Sequence, residues 1–239
     1  MLSLCLGDYI KVSSGMSLRR SVLGSIADLD SLINALRANK PFRDAILRAY
    51  NRYLKTGGFP APIVEYHTPG KVSIQTIRTY LDWLRSDWYK AGRSGKYMKE
   101  VISLILKSKL SPISWLDIAR RASISSSNTA RAYVETLEYL LAAKTLNLIS
   151  PSGAVMLRKN KKIHFIDPLI YTVLSHYTRV KVYPEVIAES TAVSHLLRVA
   201  EIYYWRNKSE VDIVAQLGGI QVGFEVKTGV KKHRPPEHF

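Results

Sequence analysis

The run Glu210-Val211-Asp212-Ile213-Val214-Ala215-Gln216-Leu217-Gly218-Gly219-Ile220-Gln221-Val222-Gly223-Phe224-Glu225-Val226-Lys227 decides how the C-terminal part of the chain is read. Gly-Gly is a favoured two-residue hairpin loop, because a tight primed turn needs positive φ. With the turn at Gly218-Gly219, Leu217 pairs with Ile220. In step with that pair, Asp212 falls opposite Glu225 and Glu210 opposite Lys227. Alternation then puts Ile220, Val222, Phe224 and Val226 on one face, and Gln221, Gly223, Glu225 and Lys227 on the other.

Two carboxylates opposed with Cβ atoms roughly 5 Å apart repel each other and weaken a bare hairpin. A divalent cation between them reverses the sign, and hard oxygen ligands suit Mg²⁺ or Mn²⁺. A helix expected over residues 185–198 adds a third acid, Glu189, on the same stripe as Ala192, Val193, Leu196, Leu197 and Ala200. A glutamate on a buried stripe needs a partner. Asp212, Glu225 and Glu189 are therefore candidate metal ligands. Lys227 is the candidate group for orienting a water or offsetting phosphate charge. The plain alternatives are a salt-bridged sheet face and, for Glu189, a favourable place in the first turn of its helix.

Upstream, helices are expected over 97–108, from Ser114 to 122, and from the Ser123–Ser127 turn to about 144, with Ala130, Val134, Leu137 and Leu141 on one stripe. Short strands follow at 145–149, 155–158 and 163–166. Three helices and then a basic hairpin is the order of a winged helix. Arg120 and Arg121 end the second helix, Asn128 and Arg131 are exposed on the third, and the wing tip reads Arg158-Lys159-Asn160-Lys161-Lys162. In a DNA reader the tip sits on phosphates while the third helix enters the major groove. Arg120, Arg121, Asn128, Arg131, Arg158, Lys159, Lys161 and Lys162 are thus the candidate nucleic-acid contacts. A solvated basic turn or a protein-packing surface is the alternative, and Glu135 and Glu138 on the third helix count against base reading.

The first part reads as helical: 28–55 broken at Pro41, a hard stop at Gly57-Gly58-Phe59-Pro60, then 73–90 and a linker at 92–95. The expected organisation is α+β: a helical region at 1–95, a winged helix at 96–180 and a hairpin-bearing unit at 181–239.

The 239 residues carry 35 Lys and Arg against 19 Asp and Glu, a formal charge of +16, which calls for an anionic partner such as nucleic acid. A single cysteine, Cys5, excludes a disulfide framework or a CxxC zinc site, and the six histidines lack the i, i+4 spacing of a helical zinc site. No run approaches the roughly 18 apolar residues of a membrane span, and a basic signal-peptide start is missing, so a cytoplasmic protein with no membrane partner is expected.

The segment Glu210-Val211-Asp212-Ile213-Val214 … Phe224-Glu225-Val226-Lys227 resembles the D…(D/E)xK core of the restriction-endonuclease-like nuclease fold. The wider chain resembles the C-terminal portion of archaeal and bacterial AAA-type ATPases, which carry a winged-helix region and a nuclease-like domain behind an ATPase module. Gly57-Gly58-Phe59-Pro60, Thr129…Tyr133…Leu137 and Phe165-Ile166-Asp167-Pro168 are similar to that family as well. The resemblance implies a restriction-endonuclease-like α/β domain and Mg²⁺-dependent phosphodiester hydrolysis. The implied partners are duplex DNA and an ATPase module or a second copy of the chain. Two departures stand out. Gly92-Arg93-Ser94-Gly95-Lys96 lacks P-loop spacing and is followed by Tyr97, so no ATP is expected in this chain. The sequence also runs only about a dozen residues past Lys227, which implies a truncated nuclease-like unit. Non-catalytic nucleic-acid binding, or docking on an ATPase, are the alternatives.

Overall fold

The computed structural model describes residues 3–18, 29–217 and 219–228. The fold is α+β. Helices come first: α1 (Leu6–Ser14), α2 (Leu29–Asn39), α3 (Arg43–Thr56), α4 (Pro60–Tyr66) and α5 (Ile74–Lys90). Pro41 breaks the α2–α3 pattern as a short 3₁₀ turn at Lys40–Phe42. Next come α6 (Gly95–Ser108), α7 (Trp115–Arg121) and α8 (Ser127–Tyr139), followed by β1 (Ala143–Leu146), β2 (Leu148–Ile149), β3 (Val155–Met156) and β4 (Lys162–Phe165). The chain continues through α9 (Pro168–Thr178), α10 (Pro184–Leu196), β5 (Glu201–Arg206), β6 (Glu210–Leu217) and β7 (Ile220–Phe224).

Helix starts follow local chemistry. The hydroxyls of Ser73, Ser114 and Ser126 accept from the N–H groups of Thr76, Asp117 and Thr129. Asp167 caps α9 by accepting from Leu169 at 2.7 Å. Such caps contribute about 1 kcal/mol each. Helix α8 stops at Tyr139, earlier than its apolar stripe predicts. Leu141 takes a left-handed conformation (φ 53°), Leu141 N–H donates to Glu138 O and Ala142 N–H to Leu137 O. This is a Schellman ending, and it frees Ala143 and Lys144 to pair with Phe165 and His164.

Strands β1 and β4 pair antiparallel, and an isolated bridge from Ile113 to Lys161 adds the segment between α6 and α7 to that ribbon. The helix–strand–helix–helix–strand–wing–strand order follows the winged-helix expectation. The wing does not project freely. Its hairpin β2–β3 joins β5 in parallel at Leu148 and Tyr204, giving a five-stranded sheet in the order β3-β2-β5-β6-β7.

The largest core includes Leu84 and Trp88 of α5, Met98 and Ile102 of α6, Leu137 of α8 and Leu174 of α9, so it spans the linker expected at 92–95. A second core packs Val193 of α10 against Ile202, Tyr204, Ile213 and Ala215. A third gathers Tyr9, Ile10, Tyr53 and Ile63.

Candidate nucleic-acid interface and carboxylate cluster

The β6–β7 ladder runs in the register set by the glycine turn: Leu217 pairs with Ile220, Ala215 with Val222 and Ile213 with Phe224. Gly219 sits at φ +83°, which suits glycine. The ladder ends at Phe224, one step short of the expected pairing of Asp212 with Glu225. There the Asp212 side chain replaces the next rung, its Oδ2 accepting the Val226 N–H at 3.1 Å. Glu225 turns to Lys227 at 2.8 Å on an exposed edge. The expected facing of Glu210 and Lys227 is not made. Glu210 instead meets Arg206 at 3.6 Å and Lys162 at 2.6 Å, because its strand lies against the winged-helix ribbon.

Lys162 is the centre of the site. Its side chain is 2% exposed, and its Nζ lies 3.1 Å from Glu189, 2.6 Å from Glu210 and 3.9 Å from Asp212. Helix α10, strand β6 and strand β4 each contribute to the cluster. Burial by itself lowers the pKa of Lys162, but Glu189 and Glu210 outweigh it, so the ammonium is held above its ordinary value. Burial pushes the Glu189 carboxyl up, Lys162 opposes that, and the negative charges of Asp212 and Glu210 add to the rise. Two positions along β4, His164 Nδ1 lies 3.0 Å from the Ser190 hydroxyl, which is 2.6 Å from the Tyr171 hydroxyl. His164 Nε2 is buried and has no hydrogen-bond partner among the described residues. Burial, reinforced by the nearby Lys162 charge, pushes His164 down to about 3.

This donor set takes an ammonium. A divalent ion on the Glu189 and Asp212 carboxylates would have to displace Lys162, and Glu225 points to Lys227 instead of into the cluster. Among the described residues no group of three His, Cys, Asp or Glu has an arrangement suited to a metal ion. As folded, the Glu189 and Asp212 carboxylates hold the Lys162 ammonium, and a divalent ion would need that same position.

Lys161 and Lys162, expected at a solvated wing tip, are buried. Lys161 is 4% exposed and donates to the carbonyls of Leu157 and Lys159, each at 2.7 Å. Burial and nearby Arg131 lower its pKa. The β2–β3 turn falls at Ser152-Gly153, with Gly153 N–H donating to Ser150 O, and the basic run beyond β3 leads into β4, which Lys162 already opens. The other six candidate contacts, Arg120, Arg121, Asn128, Arg131, Arg158 and Lys159, are exposed. Arg131 pairs with Glu135 at 2.7 Å on the open face of α8. Glu138 accepts the Thr145 N–H at 2.8 Å and so ties α8 to β1. Trp115, Arg131, Lys144 and Leu157 line a groove between α8 and the wing. Sequence reasoning missed Lys144, whose place in that groove follows from strand pairing and not from any local motif.

Residues 47–181 match the family of a domain of unknown function, DUF8612, and the chain belongs to that family. No curated protein and no solved structure matches the chain. The matched span contains the winged-helix elements and Lys162, and it stops before Glu189, Asp212 and Glu225.

Proposed function

We propose that this chain binds duplex nucleic acid through the α7–α8 and wing surface. The observation that carries the reading is the exposure of Arg120, Arg121, Arg131, Arg158 and Lys159 around one winged-helix frame in a chain of net charge +16. Helix α8 is the groove element, with Asn128 exposed in its first turn. Arg158 and Lys159 hold backbone phosphates from the wing, and Arg120 and Arg121 do so from the end of α7. Binding of this kind is dominated by phosphate neutralisation, and its affinity falls steeply with salt. Anisotropy of a labelled duplex across a salt series tests it. Four phosphate contacts give a log–log slope of about −3 to −4. No binding at low salt rejects the reading.

A second reading is Mg²⁺- or Mn²⁺-dependent phosphodiester hydrolysis using Asp212, Glu225, Glu189 and Lys227. What favours it is the β6–β7 register, which ends one step from Asp212 and Glu225. It requires Lys162 to leave the carboxylates. Cleavage assays comparing the wild type with Asp212→Ala and Glu225→Ala test it, and equal cleavage by all three rejects it.

A further inference from the structure

Glu189, Glu210 and Asp212 reach one ammonium from two separate elements. Three carboxylates gathered at a largely buried point are unfavourable unless a cation offsets them. Lys162 supplies that charge from a fixed backbone. It opens β4, pairs with Leu146 across the ribbon, and follows Lys161, which is bridged to Ile113 in both directions at 2.9 Å. The Tyr204 ring closes over the ammonium at 5.9 Å from Nζ, and the Tyr204 hydroxyl donates to Asn160 O at 2.7 Å.

We propose that Lys162 is the built-in cation of this cluster, a contact that excludes divalent metal and locks the C-terminal sheet to the winged helix. The inference rests on the carboxylate geometry and is independent of nucleic-acid binding. Removing the ammonium leaves three hard oxygen donors from α10 and β6 without a counter-charge, and a divalent ion drawn in with a small closing of their side chains would supply it.

The test is Mn²⁺ binding to the full chain, read by loss of the free Mn²⁺ electron paramagnetic resonance signal. Lys162→Met is expected to bind Mn²⁺ at least about tenfold more tightly than the wild type, and adding Asp212→Asn is expected to abolish the gain. Wild-type binding as tight as that of Lys162→Met overturns the proposal. So does a folded Lys162→Met that binds no Mn²⁺. Where Lys162→Met does not fold, the wild type still decides. A slowly exchanging lysine Nζ resonance, absent in Lys162→Arg, is expected to stay unchanged as millimolar Mg²⁺ is added. A saturable shift of that resonance overturns the proposal.

Discussion

The Gly58 N–H donates to Asp167 Oδ2 at 2.9 Å, joining the end of the α3 region to the cap of α9 across 109 residues of chain. The neighbouring Gly57 has φ +65° and ψ −166°, a region that only glycine enters readily. A Cβ at Gly57 would also overlap the Asp167 carboxylate and crowd Leu169. Gly57→Ala is therefore expected to lower stability by about 3 kcal/mol, combining backbone strain with overpacking. Gly70→Ala, at φ +66° but facing open space, is expected to cost about 1 kcal/mol. Urea denaturation of both variants checks this, and equal small losses would show that the Gly57–Asp167 junction is not tight.

His164 makes stability depend on acidity. Its pKa of about 3 lies below the ordinary 6.5, so the unfolded chain binds more protons than the folded chain between those values. Stability from this group is complete above pH 6.5 and declines as pH falls through the window toward 3. Between pH 7 and pH 5 the wild type is expected to lose about 2 kcal/mol more than His164→Gln. Urea midpoints at the two pH values measure the difference, and parallel losses would contradict it.

Glu138 is a structural acceptor and not a base reader. Glu138→Ala leaves the Thr145 N–H without its 2.8 Å partner and is expected to destabilise the fold by about 1–2 kcal/mol. Duplex affinity is expected to hold. A gain in affinity with unchanged stability would place the carboxylate on the nucleic-acid face instead.

The exposed Arg131–Glu135 pair makes the opposite prediction. Surface pairs contribute about 0–1 kcal/mol, so Glu135→Gln is expected to leave stability within about 0.5 kcal/mol. It frees the guanidinium for phosphate and removes a like charge from the interface, so duplex binding is expected to tighten by about two- to fivefold at low salt. Weaker binding would show that Glu135 itself contacts the duplex.

What was legible in the sequence is what local chemistry decides. The glycine pair fixed the β6–β7 register as far as Phe224, Ser114 marked the start of α7, and the Ser123–Ser127 turn marked that of α8 without singling out Ser126 as its cap. The end of α8 is not legible, because its apolar stripe continues to Leu141 through a turn that only backbone conformation reveals. Lys161 and Lys162 were misread for a different reason. Four cations in five residues look solvated unless their partners are known, and the acids that bury Lys162 lie 27 to 50 residues farther along the chain. The gathering of Glu189, Glu210 and Asp212 around Lys162 is likewise a long-range pairing that no spacing rule encodes.

The most direct test of the proposed nucleic-acid surface reverses the charges of the wing. Arg158→Glu and Lys159→Glu in one chain, read by duplex anisotropy across a salt series with far-ultraviolet circular dichroism as the folding control, should weaken binding at low salt by at least about tenfold and make the salt slope shallower by about 2. A folded double variant with wild-type affinity and slope would contradict the assignment of that surface to nucleic acid.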